Sequence, residues 1–193
     1  MEELSTSTAE ARSADASGSA ETRHVRYVFL DVVGFTQKRS VEAQTDIVAA
    51  LNGIVRDAAD GLGLVGDSII FLPTGDGLCA AVVAPHDPYD VHVLLAMGVL
   101  ERVSKHNANE SDAMRRFQVR VGVNENVDNV LIDINGRRNV AGAGINTAQR
   151  VMSLADGGQL VVGPTVFDLL RHRERYMGAF RSFTARIKHA VQQ

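Results

Sequence analysis

Phe71-Leu72-Pro73-Thr74-Gly75-Asp76-Gly77, continuing into the apolar run Leu78 to Ala84, decides how this chain is read. An apolar segment ends at a Pro/Gly-marked turn and a second apolar segment returns from it. That pattern predicts a β-hairpin over 68–72 and 78–84 with Asp76 at its tip. A matching segment stands upstream, Phe29-Leu30-Asp31-Val32-Val33-Gly34-Phe35-Thr36, where a buried strand over 25–33 delivers Asp31 just before a glycine turn. Asp31 precedes Asp76 by 45 residues, room for one helix and one strand. Ser40 offers an N-cap, Glu42 sits in the first turn, and Ile47, Val48, Leu51, Ile54, Val55 and Ala58 recur at helical spacing, so a helix over 41–59 is expected. In a β-α-β crossover the first strand and the hairpin become neighbours, which brings both carboxylates to one end of the sheet.

Two aspartates a few ångströms apart repel each other unless cations neutralise them. Hard divalent cations take such oxygen donors, and a backbone carbonyl, here that of Val32, completes the set. Two cations so held are a common means of handling a nucleoside triphosphate. Gly34 permits a turn whose N–H groups face an anion, making Gly34, Phe35 and Thr36 candidates for triphosphate contact, although Phe35 also reads as a core anchor. Singly, Asp31 and Asp76 also have plainer readings as turn residues.

The pattern continues as β-α-β. Asp87-Pro88 signals a second helix carrying Val91, Leu94, Leu95, Met97, Leu100 and Val103. The segments 117–123 and 127–134 read as an antiparallel pair, Asn135-Gly136 as a turn, 145–154 as a helix, 160–162 as a strand, 164–170 as a short helix and 180–187 as a last strand. The fold class is therefore α+β, a ferredoxin-like βαββαβ core with extra C-terminal strands and helices. On the third helix Asn146 and Arg150, four apart, share one face. Such a pair can orient a ribose and stabilise charge on a phosphorus in transition, and it also suits a solvated face. Arg120 on a strand should pair with a nearby carboxylate. Lys188 near the chain end reads either as a phosphate contact or as a solvated lysine.

At 193 residues and 45% hydrophobic composition the chain suits one catalytic domain, spanning 23–193. Residues 1–22, rich in Ser, Thr, Ala and Glu, read as a mobile tail or an arm that a partner orders. The net charge of −3, with no basic run, argues against a nucleic-acid surface. No apolar stretch approaches a membrane span. The single cysteine, Cys79, in an apolar run fits a reducing, cytoplasmic setting.

Taken in order, these segments resemble the class III nucleotidyl cyclases, the adenylate and guanylate cyclase catalytic domain. Phe29-x-Asp31-x-x-Gly34-Phe35-Thr36 is similar to the family's first metal motif, Gly75-Asp76 to its second, Arg120-x-Gly122-Val123 to its central strand, and Asn146-x-x-x-Arg150 to its transition-state pair. The resemblance covers about residues 25 to 170. It implies a head-to-tail homodimer with active sites at the interface. Asp31 and Asp76 of one protomer would hold two Mg²⁺ or Mn²⁺ ions and Asn146 and Arg150 would come from the other.

The departures are informative too. Where adenylate cyclases carry a lysine and guanylate cyclases a glutamate, four residues before the second aspartate, this chain has Leu72, which can neither donate to adenine nor accept from guanine. The second base-reading position, seven before Asn146, is Asn139, whose amide suits the edge of uracil or, flipped, of cytosine. Asn124-x-Asn126 replaces the family's usual His-Thr-Gly. With its small size, the chain is similar to the compact bacterial pyrimidine cyclases of the Pycsar antiphage system. That resemblance implies conversion of UTP to cyclic UMP upon infection, the product acting on a separate effector. The competing readings are an adenylate cyclase and an inactive cyclase fold kept for dimerisation or nucleotide sensing. A diguanylate cyclase fits less well, because the hairpin reads Thr74-Gly75-Asp76-Gly77-Leu78 instead of that family's Gly-Gly-Asp/Glu-Glu-Phe.

Overall fold

The computed structural model describes residues 20–83 and 88–182. In chain order the elements are β1 (Glu21–Val32), α1 (Val41–Asp60), β2 (Ile69–Pro73), β3 (Gly77–Val82), α2 (Val91–Asn109), β4 (Val119–Ile132), β5 (Arg138–Ala141), α3 (Ala143–Ser153), β6 (Leu160–Val162) and α4 (Pro164–Leu170). The strands form one sheet in the order β2-β3-β1-β4-β5, with β6 parallel to β4 and every other pairing antiparallel. The first six elements make the expected ferredoxin-like core.

Alternation along β1 splits the core into two layers. Val28, Leu30 and Val32 face Ile47, Leu51 and Val55 of α1 and Leu95 and Val99 of α2. Val25, Tyr27 and Phe29 point to the opposite face, where Ala148 and Met152 of α3 close a smaller cluster with Ile70, Cys79, Ala81, Val130 and Val140. Cys79 is fully buried there, and burial pushes its thiol far above its ordinary value. Ser40 caps α1, its hydroxyl accepting from the Ala43 N–H at 3.2 Å.

Three expectations need correction. The segments 117–123 and 127–134 do not pair with each other. They are one strand, β4, continuous through Asn124, Glu125 and Asn126, and its antiparallel neighbours are β1 and β5. Those polar residues do not break the strand because tertiary partners bury them: Asn124 donates to the Gly144 carbonyl at 3.1 Å, and Glu125 faces Arg26, His24 and His92. The second helix starts at Val91, whose N–H donates to the Pro88 carbonyl, so Pro88 belongs to the turn before it. Of the strand expected over 180–187, residues 180–182 are not in strand conformation and the rest lies outside the described residues. β1 begins at Glu21, and most of the expected tail, residues 1–19, is likewise outside them. No described helix is long and apolar enough to cross a membrane.

Candidate active site

β1 and β3 lie side by side, with Asp31 in register with Gly77 and the Val32 N–H donating to the Asp76 carbonyl at 3.2 Å. The crossover thereby places Asp31 beside the hairpin tip that carries Asp76, near enough for the charge of one carboxylate to be felt by the other. Arg120 of β4, directly opposite Asp31, donates from Nε at 3.0 Å and Nη2 at 2.7 Å to the same oxygen, Oδ2. The strand arginine is thus paired with a carboxylate, and the pair leaves Asp31 Oδ1 outside the guanidinium contact. Burial raises the Asp31 pKa above its ordinary value, the Arg120 hydrogen bond opposes this, and the Asp76 charge adds to the rise.

Asp31, Asp76 and the Val32 carbonyl are hard oxygen donors, and two neighbouring carboxylates, both half-buried, form the electrostatic setting that a divalent cation relieves. Among the described residues no group of three or more His, Cys, Asp or Glu side chains is arranged to hold a metal. Cations here would therefore complete their coordination with backbone, water and substrate oxygens, as Mg²⁺ does when it bridges phosphates.

The turn after β1 carries Gly34 at φ +61°, the left-handed region that glycine adopts without strain. Phe35 is half-buried against the α1/α2 layer, and Thr36 is exposed. A residue that the sequence reading missed organises this turn. Arg39 donates to the carbonyls of Gly34 at 2.5 Å and Phe35 at 3.2 Å, and also to those of Met114 at 3.1 Å and Arg116 at 3.0 Å. Only the mid-turn position of a lone arginine hinted at this, because half of its partners lie more than seventy residues away.

α3 turns Gly144, Ala148, Val151 and Met152 toward the sheet. Asn146 and Arg150 are both exposed, on the outward side of the helix. One chain therefore does not bring them onto Asp31 and Asp76. The side chain of Asn146 donates back to the Gly142 carbonyl at 3.3 Å. Leu72 sits on β2 opposite Cys79, half-buried against the smaller cluster and on the same sheet face as Asp31. Asn139 is half-buried on β5 opposite Leu131, its Oδ1 accepting from the Val140 N–H at 2.7 Å. Lys188 lies outside the described residues.

Structural relatives share this architecture. The catalytic core of a rhodopsin-guanylyl cyclase with converted specificity, in complex with ATPαS, superposes with a TM-score of 0.66 at 19% identity, over 80% of this chain and 86% of that one. The guanylate cyclase domain of RhGC from Catenaria anguillulae, in complex with GTP, gives 0.62 at 21% identity, over 78% and 84%. The adenylyl cyclase CyaB from P. aeruginosa gives 0.63 at 16%, over 80% and 84%. At these identities the likeness is one of fold. No curated protein matches the chain in sequence. The profile of the Adenylate and Guanylate cyclase catalytic domain matches residues 18–189, nearly the whole length, and by that match this chain belongs to the family of nucleotidyl cyclase catalytic domains.

Proposed function

We propose that the protein is a metal-dependent uridylate cyclase, converting UTP to 3′,5′-cyclic UMP and pyrophosphate. The observation that carries the cyclase chemistry is the pairing of Asp31 and Asp76 at the sheet end while Asn146 and Arg150 face outward on α3. That division of labour suits a head-to-tail homodimer in which each site takes its carboxylates from one protomer and its α3 pair from the other. Asp31, Asp76 and the Val32 carbonyl would hold two divalent cations, Mg²⁺ or Mn²⁺, which when bound acidify the ribose 3′-hydroxyl and neutralise the triphosphate. Asn146 orients the ribose. Arg150 meets the negative charge that builds on the α-phosphoryl oxygens as the O3′–Pα bond forms and the bond to the leaving pyrophosphate breaks. The turn at Gly34, Phe35 and Thr36 faces the β- and γ-phosphates, with Lys188 as a further phosphate contact.

The base assignment rests on Leu72. An aliphatic side chain at this position, packed on the cluster beneath it, offers no hydrogen bond to a purine edge. The Asn139 amide supplies an acceptor and donors for the O4/N3–H edge of uracil. The reading extends to a cytoplasmic enzyme of antiphage defence whose product acts on a separate cyclic-nucleotide effector. Incubation of purified protein with each of the four ribonucleoside triphosphates and Mn²⁺, with products identified by mass, tests it. Cyclic UMP as the dominant product is expected. Dominant cyclic AMP would replace the base assignment, and nucleotide binding without turnover would make the chain a sensor.

A further inference from the structure

Asn124-Glu125-Asn126-Val127-Asp128 departs from the family pattern, and the cyclase chemistry leaves it without a task. In the fold its even-numbered members lie beneath the first turn of α3, where Asp128 is 5% exposed. Asp128 Oδ2 accepts the Tyr27 hydroxyl proton at 2.6 Å and the Gly144 N–H at 2.9 Å, while Oδ1 accepts from Asn126 Nδ2 at 2.7 Å. Asn124 Nδ2 donates to the Gly144 carbonyl at 3.1 Å, so both backbone polar groups of Gly144 are held from β4. Burial, then Asp128, pushes the Tyr27 phenol far above its ordinary value, which keeps its proton in place to donate.

α3 has no cap of its own. Its N-cap residue is Gly142, and no side chain bonds the first turn from that position. Asp128 fills the role from the neighbouring strand, presenting a carboxylate to the positive end of the helix through a charge-assisted bond. The fit is close. A Cβ at Gly144 would stand 2.6 Å from Tyr27 Cε2 and 2.6 Å from Asn126 Cβ, so the helix start lies directly on β1 and β4. Tyr27 is four residues before Asp31 on the same strand and face, which ties the strand of the metal aspartate to the helix of the Asn146/Arg150 pair through one carboxylate.

We propose that Asp128 is a positioning residue for the reaction: by capping α3 from β4 and anchoring it to Tyr27, it sets the rotation and height at which Asn146 and Arg150 meet the partner protomer's substrate. A misplacement of about 1 Å in such a pair costs about 100-fold in rate. This rests on the cyclase reading and its head-to-tail dimer.

The test is activity in mixtures of variants. Asp128→Ala should lower kcat about 100-fold with KM for the triphosphate within about twofold of wild type. Asp128→Asn, which keeps an acceptor for the Gly144 N–H, should regain about tenfold of that loss, and it runs the same experiment if the alanine protein does not fold. A defect confined to α3 is rescued by a partner that contributes a sound α3. Asp128→Ala mixed with Asp31→Ala should therefore recover activity, and mixed with Arg150→Ala it should not. Rescue by Arg150→Ala, or by neither variant while the control mixture is active, overturns the proposal. That control, Asp31→Ala with Arg150→Ala, tests the dimer itself. If it stays inactive the dimer reading falls and the proposal, which needs a partner protomer's substrate, falls with it; an active control with unchanged kcat in Asp128→Ala overturns the positioning role alone.

Discussion

Replacing Gly122 by alanine adds one methyl group where the structure has no room for it. Gly122 sits in the middle of β4, opposite Phe29 of β1 on one side and Val161 of β6 on the other. A Cβ there would stand 2.6 Å from both Cα and Cβ of Met152, in the last turn of α3. Ordinary carbon–carbon contact is about 3.5 to 4.0 Å, so helix and sheet must part by about 1 Å. Neither side can yield cheaply, since β4 is bonded along both edges and the opposing atoms include helix backbone. Overpacking of this kind costs about 3 kcal/mol, which for a domain of this length lowers Tm by about 6 to 12 °C. Turnover should fall further than stability explains, because Arg150 lies two residues before the displaced Met152. Thermal melts and initial rates of the purified variant read both quantities. Gly53→Ala is the control. Gly53 lies within α1, and beyond the helix's own backbone no described residue comes within 4 Å of an added Cβ, so the same chemical change should stabilise by about 0.5 to 1 kcal/mol. A Gly122→Ala protein that melts within about 2 °C of wild type with unchanged turnover would refute the packing argument.

Three more outcomes follow from buried polar groups. Burial, with Arg26 and His24 beside it, holds the His92 imidazole down to about 3, so the unfolded chain takes up a proton near about pH 6.5 that the folded one refuses. Its contribution is present above that pH and is lost as pH falls toward the folded value, by up to about 1.4 kcal/mol per unit. Urea unfolding between pH 7.5 and 5 should show a shallower loss for His92→Asn, and equal slopes would contradict this. The Asp31 pKa is raised by burial first and by Asp76 as well, so its stabilising contribution exists at low pH and is lost as pH rises through the folded value. Mn²⁺ should accordingly raise Tm more at pH 7.5 than at pH 5, and Asp76→Asn should abolish the gain; an equal gain in the variant removes Asp76 from the metal site. Tyr176 donates to Asp90 Oδ2 at 2.7 Å, where Arg175 Nη1 reaches only to 3.4 Å, and Asp90 is 1% exposed with no partner for its other oxygen among the described residues. Tyr176→Phe should therefore cost about 1.5 to 3 kcal/mol in a urea melt, and a change below about 0.5 kcal/mol would show that water replaces the phenol.

Features that depend on neighbours along the chain were legible in the sequence. The Ser40 cap and the periodicity from Ile47 to Ala58 locate α1 to within a residue, and the Pro-Thr-Gly-Asp-Gly turn closes as a hairpin with the Thr74 N–H on the Gly77 carbonyl. The meeting of Asp31 and Asp76 was legible as well, since it needs only the crossover rule. What depended on distant partners was not. Asn124-Glu125-Asn126 reads as a break because three polar residues suit a loop, and only Gly144, Arg26 and His92, supplied by other elements, make it a buried stretch of strand. Arg39 and Asp128 escaped notice for the same reason: an arginine or an aspartate alone says nothing about which carbonyl or amide it will find.

The length of β4 has a consequence for how such a chain can vary. One strand carries Arg120 beside Asp31 and Asp128 beneath the start of α3, so the span between the two halves of the proposed site is written in covalent bonds, eight residues or about 26 Å. Arg120, Gly122, Asn124, Asn126 and Asp128 keep to one face by parity. Inserting a single residue among them would send Asp128 to the α1/α2 side, and inserting two would keep the face but slide α3 about 6.6 Å along the sheet. Length changes in descendants of this chain should therefore gather at the Asn135-Gly136 turn, while β4 serves as a ruler whose graduations cannot be moved.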